Sequence, residues 1–212
     1  MTLSLTLLGL LWIAYFCLHS LLASLWLKSR VAARHDWLMP AYRLIFNTLA
    51  TLLLIPPVAY MFWLQGAPLW QFEGVWHWLR LAIMLVAVAG FLWSMRYYDG
   101  REFMGLKQLS EGQRDIKDQE SLHISPMHRY VRHPWYSLGL LLIWTQDMDA
   151  ARLVSALLIT GYLIFGSRLE ERKLKVYHGE RYDHYCARVP GLIPVPWRHL
   201  TKEEADTLVA DR

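Results

Sequence analysis

Residues 3–27 read LSLTLLGLLWIAYFCLHSLLASLWL, a run without Lys, Arg, Asp or Glu that ends just before Lys28 and Arg30. A helix of about 20 apolar residues is long enough to cross the hydrocarbon core of a bilayer. Similar apolar runs cover residues 44–64 and 79–95. The sequence therefore predicts three membrane-spanning helices in its first part.

Two shorter apolar runs follow, at residues 136–145 and 153–165, with the polar stretch 146–149 between them. This arrangement predicts a helix–turn–helix hairpin, although each arm is short for a full crossing. Two readings stay open. We favour two tilted or extended spans, and the alternative is a dip that stops short of the far leaflet.

Size and composition indicate one small integral membrane domain, because 55% of the 212 residues are hydrophobic and most lie in long runs. We expect an all-α fold, a polytopic membrane helical bundle with about five transmembrane helices. The expected parts of this single domain, 1–212, are three N-terminal spans in 1–95, a cytoplasmic loop in 96–135, a hairpin in 136–165 and a cytoplasmic tail in 166–212.

The basic residues predict the orientation, because short cytoplasmic loops accumulate Lys and Arg. The first loop contains Lys28, Arg30, Arg34 and Arg43, whereas residues 65–78 contain neither Lys nor Arg. The third loop is again rich in both. This alternation predicts the N-terminus outside and the C-terminus in the cytoplasm. The net charge of +4 then suits anionic lipid headgroups and makes no case for nucleic acid.

The polar segment 97–120 mixes glycine, charge and aromatic residues. Two readings are equally open for it, a lid over a cytoplasmic opening and a plain connector. The two cysteines, Cys17 and Cys186, are far apart in sequence and do not have the spacing of a metal site, so no metal is expected.

Two polar clusters lie at the ends of the hairpin, RYVRHPWY at 129–136 and LEERKL at 169–174. Taken singly, these residues have structural explanations: His133 caps a helix, Arg132 reaches the lipid phosphates, and the acids form a solvated helix face. Ionisable groups near hydrocarbon are costly, however, and their placement at one hairpin mouth favours a ligand site. Such a site has donors for a carboxylate, acceptors for an ammonium or ribose, and aromatic faces for a sulfonium cation.

Four ordered motifs carry a resemblance to a known family. They are RHPWY at 132–136 followed by Gly139, EERKL at 170–174, GERY at 179–182 followed by Tyr185, and VPGLIP at 189–194. Together they resemble the C-terminal signature of the isoprenylcysteine carboxyl methyltransferase family and its bacterial relatives. The resemblance implies an all-helical membrane enzyme that binds S-adenosylmethionine from the cytosol and admits a lipophilic acceptor from the bilayer.

The resemblance also implies roles for individual residues. The cofactor pocket is expected to use Leu122, His123, His128, Arg132, His133, Pro134, Tyr136, Glu170, Glu171 and Tyr182. One of the two acids would hold the amino end or the ribose of the cofactor. Arg168, Glu171 and His133 are the expected catalytic residues, with Arg168 facing a carboxylate of the acceptor or cofactor. Relatives often have Gly-x-Tyr where this chain has Pro126-Met127-His128, so His128 departs from the family pattern.

Short motifs in the N-terminal half resemble the bacterial NnrU-like and methanethiol S-methyltransferase branch, for example HSLLAS at 19–24 and FMGLKQ at 103–108. That branch implies a bacterial inner membrane and a small or lipophilic thiol as acceptor, ahead of a prenylcysteine carboxylate. Two other functions stay open. One is an NADPH-dependent enzyme like the membrane sterol reductases, and the other is a non-catalytic membrane transport or assembly protein.

Overall fold

The computed structural model describes residues 2–64, 66–114 and 122–210. All regular elements in these ranges are helices, which confirms the all-α prediction. The α-helices are α1 (Thr2–Ala23), α2 (Leu25–His35), α3 (Tyr42–Trp63), α4 (Val75–Ser94), α5 (Gly100–Met104), α6 (Leu106–Glu111), α7 (Pro134–Trp144), α8 (Ala150–His178), α9 (Glu180–Arg188) and α10 (Lys202–Ala210). Short 3-10 helices, Asp36–Ala41 and Met95–Tyr97, follow α2 and α4.

Four of the described helical segments are long and apolar enough to cross a membrane: Thr2–Ala23, Leu25–Trp63, Val75–Tyr97 and Ala150–His178. Their outward side chains are largely apolar; Leu85 and Val86, for example, are 70% and 68% exposed. Exposed aliphatic side chains in such numbers suit lipid rather than water. The chain is therefore an integral membrane protein with a polytopic helical architecture, as predicted.

The number of full-length spanning helices differs from the expected five, because α7 has only 11 residues. At 1.5 Å per residue it is about 16 Å long, roughly half of a bilayer core of about 30 Å. Its last residue, Trp144, donates from Nε1 to Thr160 Oγ1 at 3.0 Å. Thr160 lies in α8, about halfway between the first residue of the helix and Glu171. Between Trp144 and the start of α8 at Ala150, the chain is not helical.

The described residues form two compact units that alternate along the chain. The first unit takes the described residues of Met1–Gln71, Tyr98–Asp118 and Asp147–Leu158. The second takes those of Phe72–Tyr97, Gln119–Gln146 and Ile159–Arg212. All residues of the two polar clusters belong to the second unit.

In the first unit, α1 and the start of α8 pack around a buried hydrogen bond, Trp12 Nε1 to Ser155 Oγ at 2.8 Å. The start of α8 is capped by Asp149, whose carboxylate accepts from Arg152 N at 2.8 Å. Just before it, Met148 exchanges backbone hydrogen bonds with Leu69 and Trp70, at 2.7 Å for Leu69 N to Met148 O. The non-helical connection after α7 therefore reaches the loop that follows α3.

The segment expected to be a lid or connector contains α5 and α6. Asn47 of α3 donates to Phe103 O at 2.9 Å, and Arg114 pairs with Asp36. Gly105, with φ of 86°, lies so close to α3 that a Cβ there would be 2.6 Å from Leu44 N. The described part of this segment thus contacts α3 and the 3-10 helix Asp36–Ala41 that precedes it. Residues 115–120 of the proposed lid lie outside the described residues.

In the second unit, α4 packs on α7, where Trp135 Nε1 donates to Ser94 Oγ at 2.8 Å. The tail after α8 forms its own hydrophobic core from Tyr182, Tyr185, Val189, Leu200 and Ala205. Arg129 anchors the far end of the tail, since Leu200 N donates to Arg129 O and Arg129 Nε donates to Leu200 O, both at 3.0 Å. The tail therefore packs against the segment that leads into α7.

Candidate functional site

The position of His133 follows from the proline after it. Pro134 is the first residue of α7, where its fixed φ suits a helix and its missing amide hydrogen costs nothing. His133 is therefore the last residue before the helix, and its carbonyl accepts from Ser137 N at 3.0 Å. It is buried, with 7% of its surface exposed.

The imidazole of His133 bridges the two acids of α8. Its Nε2 lies 3.0 Å from Glu171 Oε1, and its Nδ1 lies 3.5 Å from Glu170 Oε2. Successive helix positions point about 100° apart, so one ring between two neighbouring carboxylates can reach both. The entrance and the exit of the hairpin thus meet at this histidine.

The protonation of His133 follows from these contacts. Burial alone would lower the pKa of the imidazole, but the hydrogen bonds to Glu170 and Glu171 outweigh it and raise the pKa above the ordinary value of 6.5. A protonated ring has two N–H donors and can serve both carboxylates. The histidine is accordingly a donor in this cluster.

Arg132 links the hairpin to the tail. Its Nε and one terminal nitrogen lie 2.9 Å and 2.8 Å from Glu171 Oε1. The other terminal nitrogen donates to the carbonyls of Cys186, at 3.1 Å, and Val189. The backbone amide of Arg132 also donates to Pro190 O at 2.9 Å. These bonds hold the tail against the hairpin mouth.

Gly191 also belongs to the contact between the tail and the hairpin mouth. Its carbonyl accepts from His133 N at 3.1 Å, and a Cβ on it would lie 3.4 Å from the Arg132 guanidinium and 3.6 Å from Glu171 Oε1. One residue further, Leu192 O accepts from Ser137 Oγ at 2.6 Å. Residues 189–192 therefore cross directly over the Arg132, His133 and Glu171 side chains.

Glu170 and Glu171 have different surroundings. The Glu171 side chain is 16% exposed and takes short bonds from Arg132 and His133, whereas the Glu170 side chain is 49% exposed. The two contacts of Glu170, to His133 Nδ1 and to Tyr136 Oη, are both 3.5 Å long. Tyr136 stacks on His133, with ring centroids 5.4 Å apart and an angle of 10° between the planes. Glu170 is thus the carboxylate that a ligand can reach.

His128 lies beside this cluster. Its Nδ1 is 2.8 Å from Ser125 Oγ, and its carbonyl accepts from Tyr185 Oη at 2.6 Å. Burial, together with the nearby His123 and His133, lowers the pKa of His128 to about 4. The imidazole is therefore neutral near neutral pH, which is the form that can accept a proton.

The remaining predicted residues lie outside the hydrogen-bonded cluster. His123 is exposed, and Leu122 packs on the tail core to which Tyr182, only 2% exposed, belongs. Arg168 is exposed, and its side chain forms no hydrogen bond or ion pair with another described residue. The structure therefore brings Arg132, His133, Pro134, Tyr136, Glu170 and Glu171 together and leaves Arg168 apart from them.

Some contributors were missed at the level of sequence. The residue types of Ser125, Ser137 and Gly191 do not indicate their contacts, and the carbonyls of Cys186 and Val189 have no residue-type signal at all. The motif at 189–194 was the only available indication. Within the described ranges, no group of three His, Cys, Asp or Glu side chains is placed to hold a metal ion.

Comparisons with known proteins identify relatives of one kind. The chain is 34% identical over 139 residues to a methanethiol S-methyltransferase of Pseudomonas sp. (strain GM41(2012)), covering 61% of this chain and 51% of that protein. It is 33% identical over 147 residues to the enzyme of that name from Pseudomonas deceptionensis, covering 63% and 53%. A 68-residue match to the one from Crocosphaera subtropica is 44% identical and covers 32% and 27%.

The chain spans about half the length of the first two of these relatives. No family model matches it, and no solved structure matches it. The names of these relatives nevertheless point to the same branch that the sequence resembles. Their names support the resemblance to integral membrane methyltransferases, and to the methanethiol S-methyltransferase branch in particular.

Proposed function

We propose that this protein is a membrane methyltransferase that uses S-adenosylmethionine and methylates a small or lipophilic thiol of the methanethiol kind. A prenylcysteine carboxylate is the less favoured acceptor. The observation that carries the proposal is the His133 ring between Glu170 and Glu171, at 3.5 Å and 3.0 Å, at the hairpin mouth. The names of the relatives point to the same reaction.

The residues of the cluster fit this cofactor by their chemistry. S-adenosylmethionine has an ammonium group, ribose hydroxyls and a sulfonium, all of which suit a carboxylate or an aromatic face. Glu170 is half exposed and has only long contacts, so its carboxylate is available to an ammonium or a hydroxyl. Tyr136 supplies the aromatic ring beside it. Arg168, on the same helix, is the nearest candidate in sequence for a carboxylate of the cofactor or acceptor.

S-adenosylmethionine, when bound, supplies a methyl group already activated by the positive charge on sulfur. The residues of the chain then have to orient the acceptor and exclude water. Good alignment of two reactants contributes on the order of 7 to 11 kcal/mol. Residues 189–192, bonded to Arg132, His133 and Ser137, close one side of the site and limit access of water.

The two histidines have different proposed roles. His133 uses both ring nitrogens toward carboxylates, so it positions Glu170 rather than removing a proton. His128 is neutral, and it is the better candidate to assist an acceptor thiol. A thiol has a reference pKa of about 8.5, so some thiolate is present without any base.

Ligand binding tests the cofactor. In detergent, S-adenosylmethionine and its demethylated product should raise the melting temperature, and NADPH should not. Glu170→Ala and His133→Ala should weaken binding of S-adenosylmethionine at least tenfold, a change of about 1.4 kcal/mol, because each removes a charge-assisted contact. Glu203→Ala, which removes an exposed acid on α10, is the matched control and should bind normally.

The other outcomes identify the alternatives. Stabilisation by NADPH alone would favour a reductase, and no effect of any ligand would favour a non-catalytic membrane protein. Unchanged binding in both Glu170→Ala and His133→Ala would show that the cofactor lies elsewhere. For the acceptor, gas-phase detection of methylated thiols beside a screen of lipophilic thiols and carboxylates separates the two acceptor classes.

A further inference from the structure

An exposed apolar turn lies in the tail, at residues 193–198, which we call the tail turn. Val195 and Arg198 pair across it, with Arg198 N donating to Val195 O at 2.9 Å. Trp197 occupies the tip and is 81% exposed, and Ile193 at the start is 76% exposed. Two large apolar side chains therefore point away from the tail core.

The tail turn is held in place by its own bonds. The Arg198 guanidinium donates to Ala187 O at 2.8 Å, which attaches the turn to the last turn of α9. Pro194 and Pro196 have a fixed φ, which further limits its conformations. Collapse of Trp197 onto the tail core would bury its ring, yet the turn presents the ring outward. An apolar surface maintained in this way indicates a contact outside the unit.

The position of the turn indicates which contact this is. Leu192, directly before it, accepts a 2.6 Å hydrogen bond from Ser137 in the first turn of α7. Helix α7 is apolar throughout, so its first turn marks the depth at which the chain enters the membrane. The tail turn thus starts at the level of the bilayer surface. Trp is enriched at this level because its ring is apolar and its N–H is polar.

Charge around the turn suits the same surface. The basic side chain of Arg198 lies next to Trp197 and is exposed, whereas Lys202 at the start of α10 is offset by the acids Glu203 and Glu204 that follow it. Basic groups beside an apolar insertion are attracted to anionic headgroups. Aromatic and basic residues together are typical of segments that lie in the membrane interface.

We propose that the tail turn inserts Ile193 and Trp197 into the interface of the membrane that the protein spans. The inserted turn holds residues 189–192 across His133 and Glu171, because Leu192 and Ile193 are consecutive. The contact joins the tail to the bilayer at a second place, apart from α8. This inference depends on the membrane character of the chain and not on the reaction proposed above.

A fluorescent probe at the turn tests the proposal. Cys17→Ala and Cys186→Ala provide a background without native cysteines. In this background, Trp197→Cys, Ile193→Cys and, as a control, Asp206→Cys on the exposed side of α10 are each labelled with an NBD maleimide. The proteins are placed in vesicles of phosphatidylcholine and phosphatidylglycerol, and circular dichroism checks that the helix content is unchanged.

Probes at positions 193 and 197 should emit at shorter wavelength than the probe at 206. Lipids with a nitroxide at a shallow chain position should quench them at least twofold more than the control, and aqueous iodide should quench them less. Equal iodide quenching at 197 and 206, without quenching by the nitroxide lipid, would overturn the proposal. Protection that disappears as the protein is diluted in lipid would overturn it as well, because the turn would then contact a second copy of the chain.

Discussion

Glu170 and Glu171 are neighbours in sequence but have different surroundings in the second unit. Glu171 is nearly buried and receives Arg132 and His133, so its charge is compensated inside the protein. Among the described residues, Glu170 has only the two 3.5 Å contacts to His133 and Tyr136, and it remains half exposed. The charge of Glu171 is thus compensated within the protein, whereas the carboxylate of Glu170 remains accessible.

Glu171→Gln should destabilise the protein, because the substitution leaves the partly buried guanidinium of Arg132 without a counter-charge. Breaking a buried ion pair from one side costs about 3 kcal/mol or more. Glu170→Gln should cost less than about 1 kcal/mol, as is usual for an exposed pair. Denaturant titration in detergent measures both. Equal losses for the two variants would contradict this division of roles.

His128 should make the protein sensitive to acid. Its pKa is about 4 in the folded protein and 6.5 ordinarily, so the unfolded chain binds more protons between these values. Stability is therefore lost as the pH falls from 6.5 towards 4, by on the order of 3 kcal/mol. His128→Asn should lose less stability over this range than the parent protein, measured as melting temperature against pH. His184→Asn, which alters an exposed histidine of α9, is the control.

His133 should affect the dependence of stability on pH in the opposite direction to His128. Its folded pKa is raised above 6.5, so its contribution is complete below pH 6.5 and is lost as the pH rises through the folded value. His133→Gln should therefore lower the melting temperature most below pH 6.5, and the profiles of the variant and the parent protein should converge as the pH rises. A variant whose melting temperature differed from that of the parent only above pH 6.5 would contradict this assignment.

At the scale of elements, the turn between α5 and α6 depends on glycine. Gly105 has φ of 86°, and a Cβ on it would lie 2.6 Å from Leu44 N at the start of α3. Gly112 has φ of 66°, but a Cβ on it meets no described atom within 4 Å. At either position, a residue with a Cβ would be strained by the positive φ. Only at Gly105 would the added Cβ also clash with the backbone of α3.

Gly105→Ala should therefore cost about 1 to 3 kcal/mol more than Gly112→Ala, because the backbone of α3 would have to move. The comparison separates the effect of close packing from the effect of positive φ, which both variants share. Melting temperatures in detergent measure the difference. Equal losses would mean that α3 does not restrict this turn.

At the scale of the whole molecule, the distribution of Lys and Arg predicts which side of the membrane each loop faces. In a background without Cys17 and Cys186, Glu73→Cys should react with a membrane-impermeant maleimide in intact cells. Asp206→Cys should react only after lysis, because the tail is expected in the cytoplasm. Labelling in the reverse order would place the candidate site on the outer face and contradict the proposed orientation.

The sequence by itself determined the helical membrane architecture and where its polar clusters lie along the chain. Long uncharged runs have few stable forms in lipid, since every backbone polar group there must be bonded within the segment or within the protein. The motifs at 132–136 and 170–174 also indicated the residues at the hairpin mouth. These inferences depend on local composition, which is readable without contacts.

Only the tertiary structure decided that α7 ends at Trp144, that Arg132 binds Glu171 rather than Glu170, and that the carbonyls of Cys186 and Val189 accept from Arg132. Each of these depends on contacts between residues far apart in sequence, such as Trp144 with Thr160. Several are made by backbone carbonyls, which every residue has. No side-chain pattern along the chain can signal them, because their specificity comes from position alone.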